Sequence, residues 1–196
     1  MVSSTATAVK RMPASGRTTQ PWRNGGGSTT DVVAFPAGST LDGFVWRVSI
    51  ATIDGDSEFS HFPGVDRFLV PLTGRLDLSV DGAVRTLDRF DVCAFTGETA
   101  VASTGVTTAS DDLNLMVRRG CATGSLEIIT IDRELVVHSS RGESVLIVAL
   151  DGSLTADGEP LADRDAVLLG AAPARFDSQL VMRGDGVVAV ARITST

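Results

Sequence analysis

Leu76, Leu78 and Val80 alternate with Arg75, Asp77 and Ser79, a period of two that predicts a half-buried β-strand. Asp81-Gly82 follows them as a hairpin signal. Phe44 to Ile50 is a β-branched and aromatic run, and Leu126 to Ile131, Leu135 to His138, Val145 to Leu150 and Val187 to Ile193 read the same way. Turn signals recur at short intervals, supplied by 20 glycines, and no stretch carries apolar residues at convincing helical spacing. The pattern predicts an all-β sandwich or barrel.

An internal echo refines this expectation. Leu69-Val70-Pro71-Leu72-Thr73-Gly74-Arg75-Leu76, with Gly82, Leu87 and Asp91 behind it, parallels Ile147-Val148-Ala149-Leu150-Asp151-Gly152-Ser153-Leu154, followed by Gly158, Leu161 and Asp165. Each copy reads as strand, glycine turn, strand, second turn and an aspartate opening another strand. The echo resembles the latter part of the cupin jelly-roll repeat, and that resemblance implies a bicupin, two jelly-roll-like β-barrels in one chain. The expected division is an N-terminal extension or edge strand over residues 1–19, a first barrel over 20–110 and a second over 111–196. Residues 1–8 are expected to be poorly anchored, and Gly74 and Gly152 to occupy equivalent turns.

Charge and composition then narrow the partners. A formal charge of -7 and a pI near 4.7 argue against nucleic acid and against anionic membranes, which need clustered Lys and Arg. No segment has the length and apolarity of a signal peptide or a bilayer span, so the cytoplasm is the expected compartment. Cys93 and Cys121 make neither a disulfide framework nor a zinc site, and Cys93 in Phe90-Asp91-Val92-Cys93-Ala94-Phe95 reads as a small core residue. The chain holds two histidines, His61 and His138, each without a second histidine beside it. Too few ligands result for a transition ion, so neither a metal nor another cofactor is expected.

The candidate chemistry therefore lies in other polar groups. Trp22-Arg23-Asn24-Gly25-Gly26-Gly27 sets donors and an indole wall beside open backbone, which suits a small anion. The glycines by themselves better suit a tight bend or bulge at a strand entry, anchored by Trp22. On the strand from Phe44 to Ile50, Val45, Arg47, Ser49 and then Ala51 share one face, with Phe44, Trp46, Val48 and Ile50 on the other. An inward Arg47 beside the small Ser49 and Ala51 would leave room for a carboxylate, which a guanidinium binds with two parallel hydrogen bonds. The alternative is that Arg47 points outward, or pairs with Asp31 or Asp66. Phe59-Ser60-His61-Phe62-Pro63-Gly64-Val65-Asp66-Arg67 turns at Pro63-Gly64 into a strand on which Asp66 and Arg67 face opposite sides. Arg47 is expected to share one cavity with Asn24, Ser60 or Arg67, walled by Trp22 or Trp46, with Phe62 beside them.

Pro21-Trp22-Arg23-Asn24-Gly25-Gly26-Gly27-Ser28-Thr29-Thr30-Asp31, then Phe44 to Ile53, then Glu58 to Gly74 resemble the HutD/Ves family in three ordered blocks. The family pattern is similar to W-[RK]-N-G-G-G-x-T-x-E, W-R-x-S-x-A and F-S-x-F-P-G-x-D-R. Asp31 stands where the family usually has Glu, and His61 occupies a variable position. The resemblance implies a bicupin without the usual cupin metal set, and a role in histidine utilisation that senses or limits an intermediate such as urocanate or formylglutamate. The partner expected is a small anionic metabolite, with a homodimer allowed for. The alternative class is a cupin-type enzyme, using a metal on His61 and Asp66 or using Asp66 alone as a base.

Overall fold

A computed structural model describes residues 9–22, 25–170 and 177–196. The expectation of weak anchoring at residues 1–8 lies outside them. Among the described residues the chain is all-β and contains no helix, and therefore none long and apolar enough to cross a membrane. It divides into two compact units, one of residues 17–123 and one of residues 1–16 with 124–196.

The first unit is built from two antiparallel sheets. One runs β2 (Thr19–Pro21), β3 (Gly27–Phe35), β4 (Trp46–Ile53), β11 (Ser110–Arg118), β6 (Val65–Pro71) and β9 (Cys93–Thr96). The other runs β5 (Ser57–Glu58), β10 (Val101–Ser103), β7 (Leu76–Val80) and β8 (Ala83–Leu87). Ile53, Leu69 and Cys93 of the first sheet and Leu76, Leu78, Val80 and Val101 of the second close one apolar cluster. Period-two alternation is what delivers these side chains to a common interior. Cys93 is a core residue here.

The second unit is one sheet, in the order β1 (Val9–Met12), β15 (Ala166–Leu169), β13 (Glu143–Ala156), β16 (Ser178–Ser195) and β12 (Ala122–Ser139), with β14 (Glu159–Leu161) paired to β13. Its core takes Val145, Ile147 and Ala149 from one half of β13 but Leu154 and Ala156 from the other. The switch from odd to even positions follows from a bulge between Ala149 and Asp151, since one extra residue turns every later side chain over. Leu126–Ile131 and Leu135–His138, read as two strands, are one strand that passes through a left-handed Arg133 at φ 76°.

The division falls at 123/124, whereas the sequence echo suggested 110/111. Ser110–Arg118 is hydrogen-bonded between β4 and β6, so it belongs to the first unit. Within the N-terminal stretch, β1 is an edge strand that pairs with β15.

The echo holds at atomic detail in two turns. Asp81 and Gly82 (φ 48° and 82°) and Asp157 and Gly158 (φ 47° and 84°) make the same hairpin, with both central residues left-handed. Each aspartate accepts a backbone hydrogen bond on Oδ1, from Ala100 and from Val181. The next turn repeats as well: Phe90 donates to Pro71 O and Arg164 to Ala149 O, while Asp91 and Asp165 accept from the residue three before. The glycine pair departs from expectation. Gly74 lies in the break between β6 and β7, whereas Gly152 lies within β13 beside the bulge, at φ 90°.

Candidate functional site

One face of the larger sheet in the first unit carries an unusual row of polar residues. Directly paired strand residues point the same way, so the register sets Asp31 beside Ser49, Ser49 beside Asn114, Met116 between Arg47 and Arg67, and Asp112 beside Ala51. This is the face that also gives Ile53, Leu69 and Cys93 to the interior. The row therefore runs into the core. Asp31 is half exposed, Arg47 mostly covered, and Ser49, Arg67, Asn114 and Asp112 are buried.

Arg67 is the centre of this row. Its Nε and Nη2 both donate to Asn114 Oδ1 at 3.4 Å, and Nη1 donates to the Ser60 carbonyl at 3.3 Å. Phe95, Phe59 and Phe62 surround the guanidinium at 4.9, 5.6 and 5.6 Å from their ring centroids. Among the described residues no carboxylate hydrogen-bonds it. Burial pulls its pKa down to about 10, against the opposing pull of Asp112, with Arg47 adding to the depression.

Asp112 shares this environment and is 1% exposed. Asn114 Nδ2 donates to its Oδ2 at 3.3 Å, while Oδ1 has no hydrogen-bond partner. Burial pushes the carboxyl up to about 7, a rise that Asn114 and Arg67 only partly oppose. A buried acid that titrates near neutrality beside a desolvated arginine is a frequent mark of a functional site.

The expected residues sort clearly against this geometry. Arg47 lies on the inner face, ion-paired with Asp31 and near Met116 Sδ, so its partner is one of the two carboxylates weighed from sequence. Ser49 is buried next to Asn114. Phe62 and the backbone carbonyl of Ser60 contact Arg67, although the Ser60 side chain belongs to an exposed residue. Trp22 donates from Nε1 to Thr29 Oγ1 at 2.7 Å and packs edge-on against Phe59, which joins it to the aromatic surround of Arg67. Trp46 does not join them: it is buried on the opposite face, stacked on Phe35, as the alternation with Arg47 requires. Asp66 is likewise on the face opposite Arg67, where Arg119 bridges it to Glu98. Asp66 is thus apart from the row that holds Arg67.

The glycine run does backbone work. Trp22 N donates to Gly27 O and Gly25 N to Trp22 O, closing the loop between β2 and β3, and Gly25 is exposed at φ 75°. A Cβ on Gly27 would stand 2.2 Å from Thr52 O and 3.1 Å from the Trp22 ring. Arg23 and Asn24 lie outside the described residues. His61 and His138 are both exposed, and among the described residues no three His, Cys, Asp or Glu side chains form a metal-binding group. An open groove of about 370 Å³ elsewhere on the first unit, lined by residues 73–77 and 104–110, includes none of the expected site residues.

Asp112 and Asn114 went unread in the sequence. The signal for them was alternation in Ser110-Asp111-Asp112-Leu113-Asn114-Leu115-Met116-Val117, with polar residues where one face of a strand falls. Read as exposed, those positions describe an ordinary half-buried strand.

A HutD family model matches residues 14–189, most of the chain. The chain belongs to the HutD family. Among curated relatives of this HutD-family chain, Protein Ves of Citrobacter koseri is 37% identical over 131 residues, covering 65% of this chain and 66% of that protein. The chain thus spans slightly less than two thirds of that relative's length. A Pseudomonas putida protein described as an uncharacterized 21.2 kDa protein in the hutC 3′ region is 43% identical over 98 residues, covering 49% of this chain and 51% of that one. The structure of HutD from Pseudomonas fluorescens SBW25 in its formate condition superposes with a TM-score of 0.84 at 27% identity, over 96% of this chain and all of that one. A cupin 2 conserved barrel protein from Leptotrichia buccalis superposes at 0.54 with 12% identity over 86% of this chain and 88% of that one, a likeness of fold alone. The HutD family and the bicupin fold expected from the three sequence blocks are both shown.

Proposed function

We propose that the chain is a binding protein for a small carboxylate, held in the interior of the first unit on Arg67. The observation that carries this reading is a buried guanidinium with hydrogen bonds to one amide oxygen and one carbonyl but, among the described residues, none to a carboxylate. Such a cation is costly to bury unless an anion completes it, and a planar fork suits a carboxylate. Asp31 and Arg47, nearer to solvent on the same row, mark the side from which an anion would approach. The naming of the Pseudomonas putida relative for its place beside hutC supports a histidine-utilisation intermediate, with urocanate and formylglutamate as the carboxylates to try. The reading requires no cofactor, nucleic acid or membrane, places the protein in the cytoplasm, and is compatible with a homodimer.

Titration calorimetry and thermal shift with formate, urocanate and formylglutamate test it. Arg67→Met keeps the length of the side chain among the three phenylalanines and should fold. It should lose carboxylate affinity by roughly 100-fold, since hydrogen bonds to a charged group contribute about 1.5–3 kcal/mol each. Arg47→Ala should weaken binding less, because Asp31 already shares that guanidinium. Equal affinity in the wild type and Arg67→Met would rule the site out. Asp112 favours a second reading, a metal-free isomerase or hydrolase with this carboxyl as acid or base. Turnover of a bound carboxylate, abolished in Asp112→Asn, would select it.

A further inference from the structure

Asn114 links two buried groups that lack complete partners. Its amide oxygen receives Arg67 and its amide nitrogen donates to Asp112 Oδ2, which leaves Asp112 Oδ1 buried and without a partner. An anion placed on Arg67 would bring a second carboxylate into this water-poor interior, and two adjacent carboxylates share a proton there rather than both ionise. We propose that Asp112 takes part in binding as the neutral acid, its Oδ1 donating a hydrogen bond to the carboxylate held on Arg67, so that above neutrality, where the unliganded acid is ionised, each anion enters with one proton drawn from the solvent. This rests on the carboxylate reading above and adds a specific role to a residue outside the family's recognisable sequence blocks.

The charged and titratable groups around Asp112 agree with that assignment. Arg67 on β6 and Arg47 on β4 supply positive charge, and Asp31 on β3 is engaged with Arg47. On its own strand the adjacent Asp111 accepts from Thr52 Oγ1 and discourages a further negative charge. Cys93 on β9 sits in the apolar cluster. His61, in the loop before β6, is exposed. Asp112 is the buried acid among them whose carboxyl is poised near neutrality, at about 7.

Calorimetry with formate in buffers of differing ionisation enthalpy tests the proposal, because it counts protons. Wild type should take up close to one proton per formate above neutrality, and its affinity should be flat from about pH 5 to about pH 6.5, where formate is ionised and Asp112 is not, and then fall up to about tenfold per pH unit above about pH 7. Asp112→Asn carries a permanent N–H donor at the same place. It should bind formate as the wild type does at about pH 6, with no slope as the pH rises and no proton uptake. A wild type without proton uptake, a slope that survives in Asp112→Asn, or loss of binding in that variant at about pH 6 would each overturn the proposal while leaving formate binding intact. Absence of formate binding to the wild type at every pH would instead overturn the carboxylate reading, and this proposal with it.

Discussion

Asp112→Asn is expected to be more stable than the wild type at about pH 8 by up to roughly 4 kcal/mol, and nearly equal to it at about pH 4. The sign follows from the direction of the shift. Burial lifts the Asp112 carboxyl to about 7 in the folded protein, whereas an unfolded aspartate titrates at about 3.9. Between those values the folded state holds a proton that the unfolded state has released, so stability falls as the pH rises through this window and levels off above it. Asparagine removes the ionisation and with it the pH-dependent loss, while its amide can still meet Asn114. Urea denaturation of both proteins at the two pH values measures the difference. A variant less stable at both, or a difference independent of pH, would show that Asp112 is not the buried acid described. Set against a typical domain stability of roughly 5–15 kcal/mol, a cost of this size is hard to reconcile with a purely structural residue.

Gly152→Ala is expected to cost at least about 3 kcal/mol, while Gly74→Ala should change stability by no more than about 0.5 kcal/mol. The two glycines echo each other in sequence but not in surroundings. A Cβ on Gly152 would stand 2.2 Å from Asp185 O and 2.5 Å from Gly186 Cα, on a residue already at φ 90°. Those atoms are backbone of β16, so relief would require parting the central strand pair of the second unit. A Cβ on Gly74 meets nothing within 4 Å. Chemical denaturation of the two variants compares them directly, and equal losses would contradict the difference between bulge and open turn.

Much of the architecture was legible because it is local. Leu76, Leu78 and Val80 alternate in sequence and are buried in fact, and the two Asp-Gly pairs form the same left-handed hairpin. Those features depend on side-chain direction along a strand and on the φ that glycine and aspartate tolerate, neither of which needs a distant partner. The same alternation fixed that Arg47 opposes Trp46 and Arg67 opposes Asp66. The family blocks fixed the fold class.

Which of two opposite faces is the interior was not local. Tertiary structure decided that Arg67 turns inward among Phe59, Phe62 and Phe95 while Asp66 turns to Arg119, and that Asp31 takes Arg47. It also set Ser110–Arg118 between β4 and β6, which moved the unit boundary and buried Asp112 and Asn114. A chain reports the type and order of its side chains, but the dielectric around a carboxyl and the identity of its partners come from strands distant in sequence. The sequence by itself therefore determined the strands, their turns and the kinship of the chain. Only the assembled sheet determined that a guanidinium and an acid would meet out of water, where desolvation makes their charge chemically consequential.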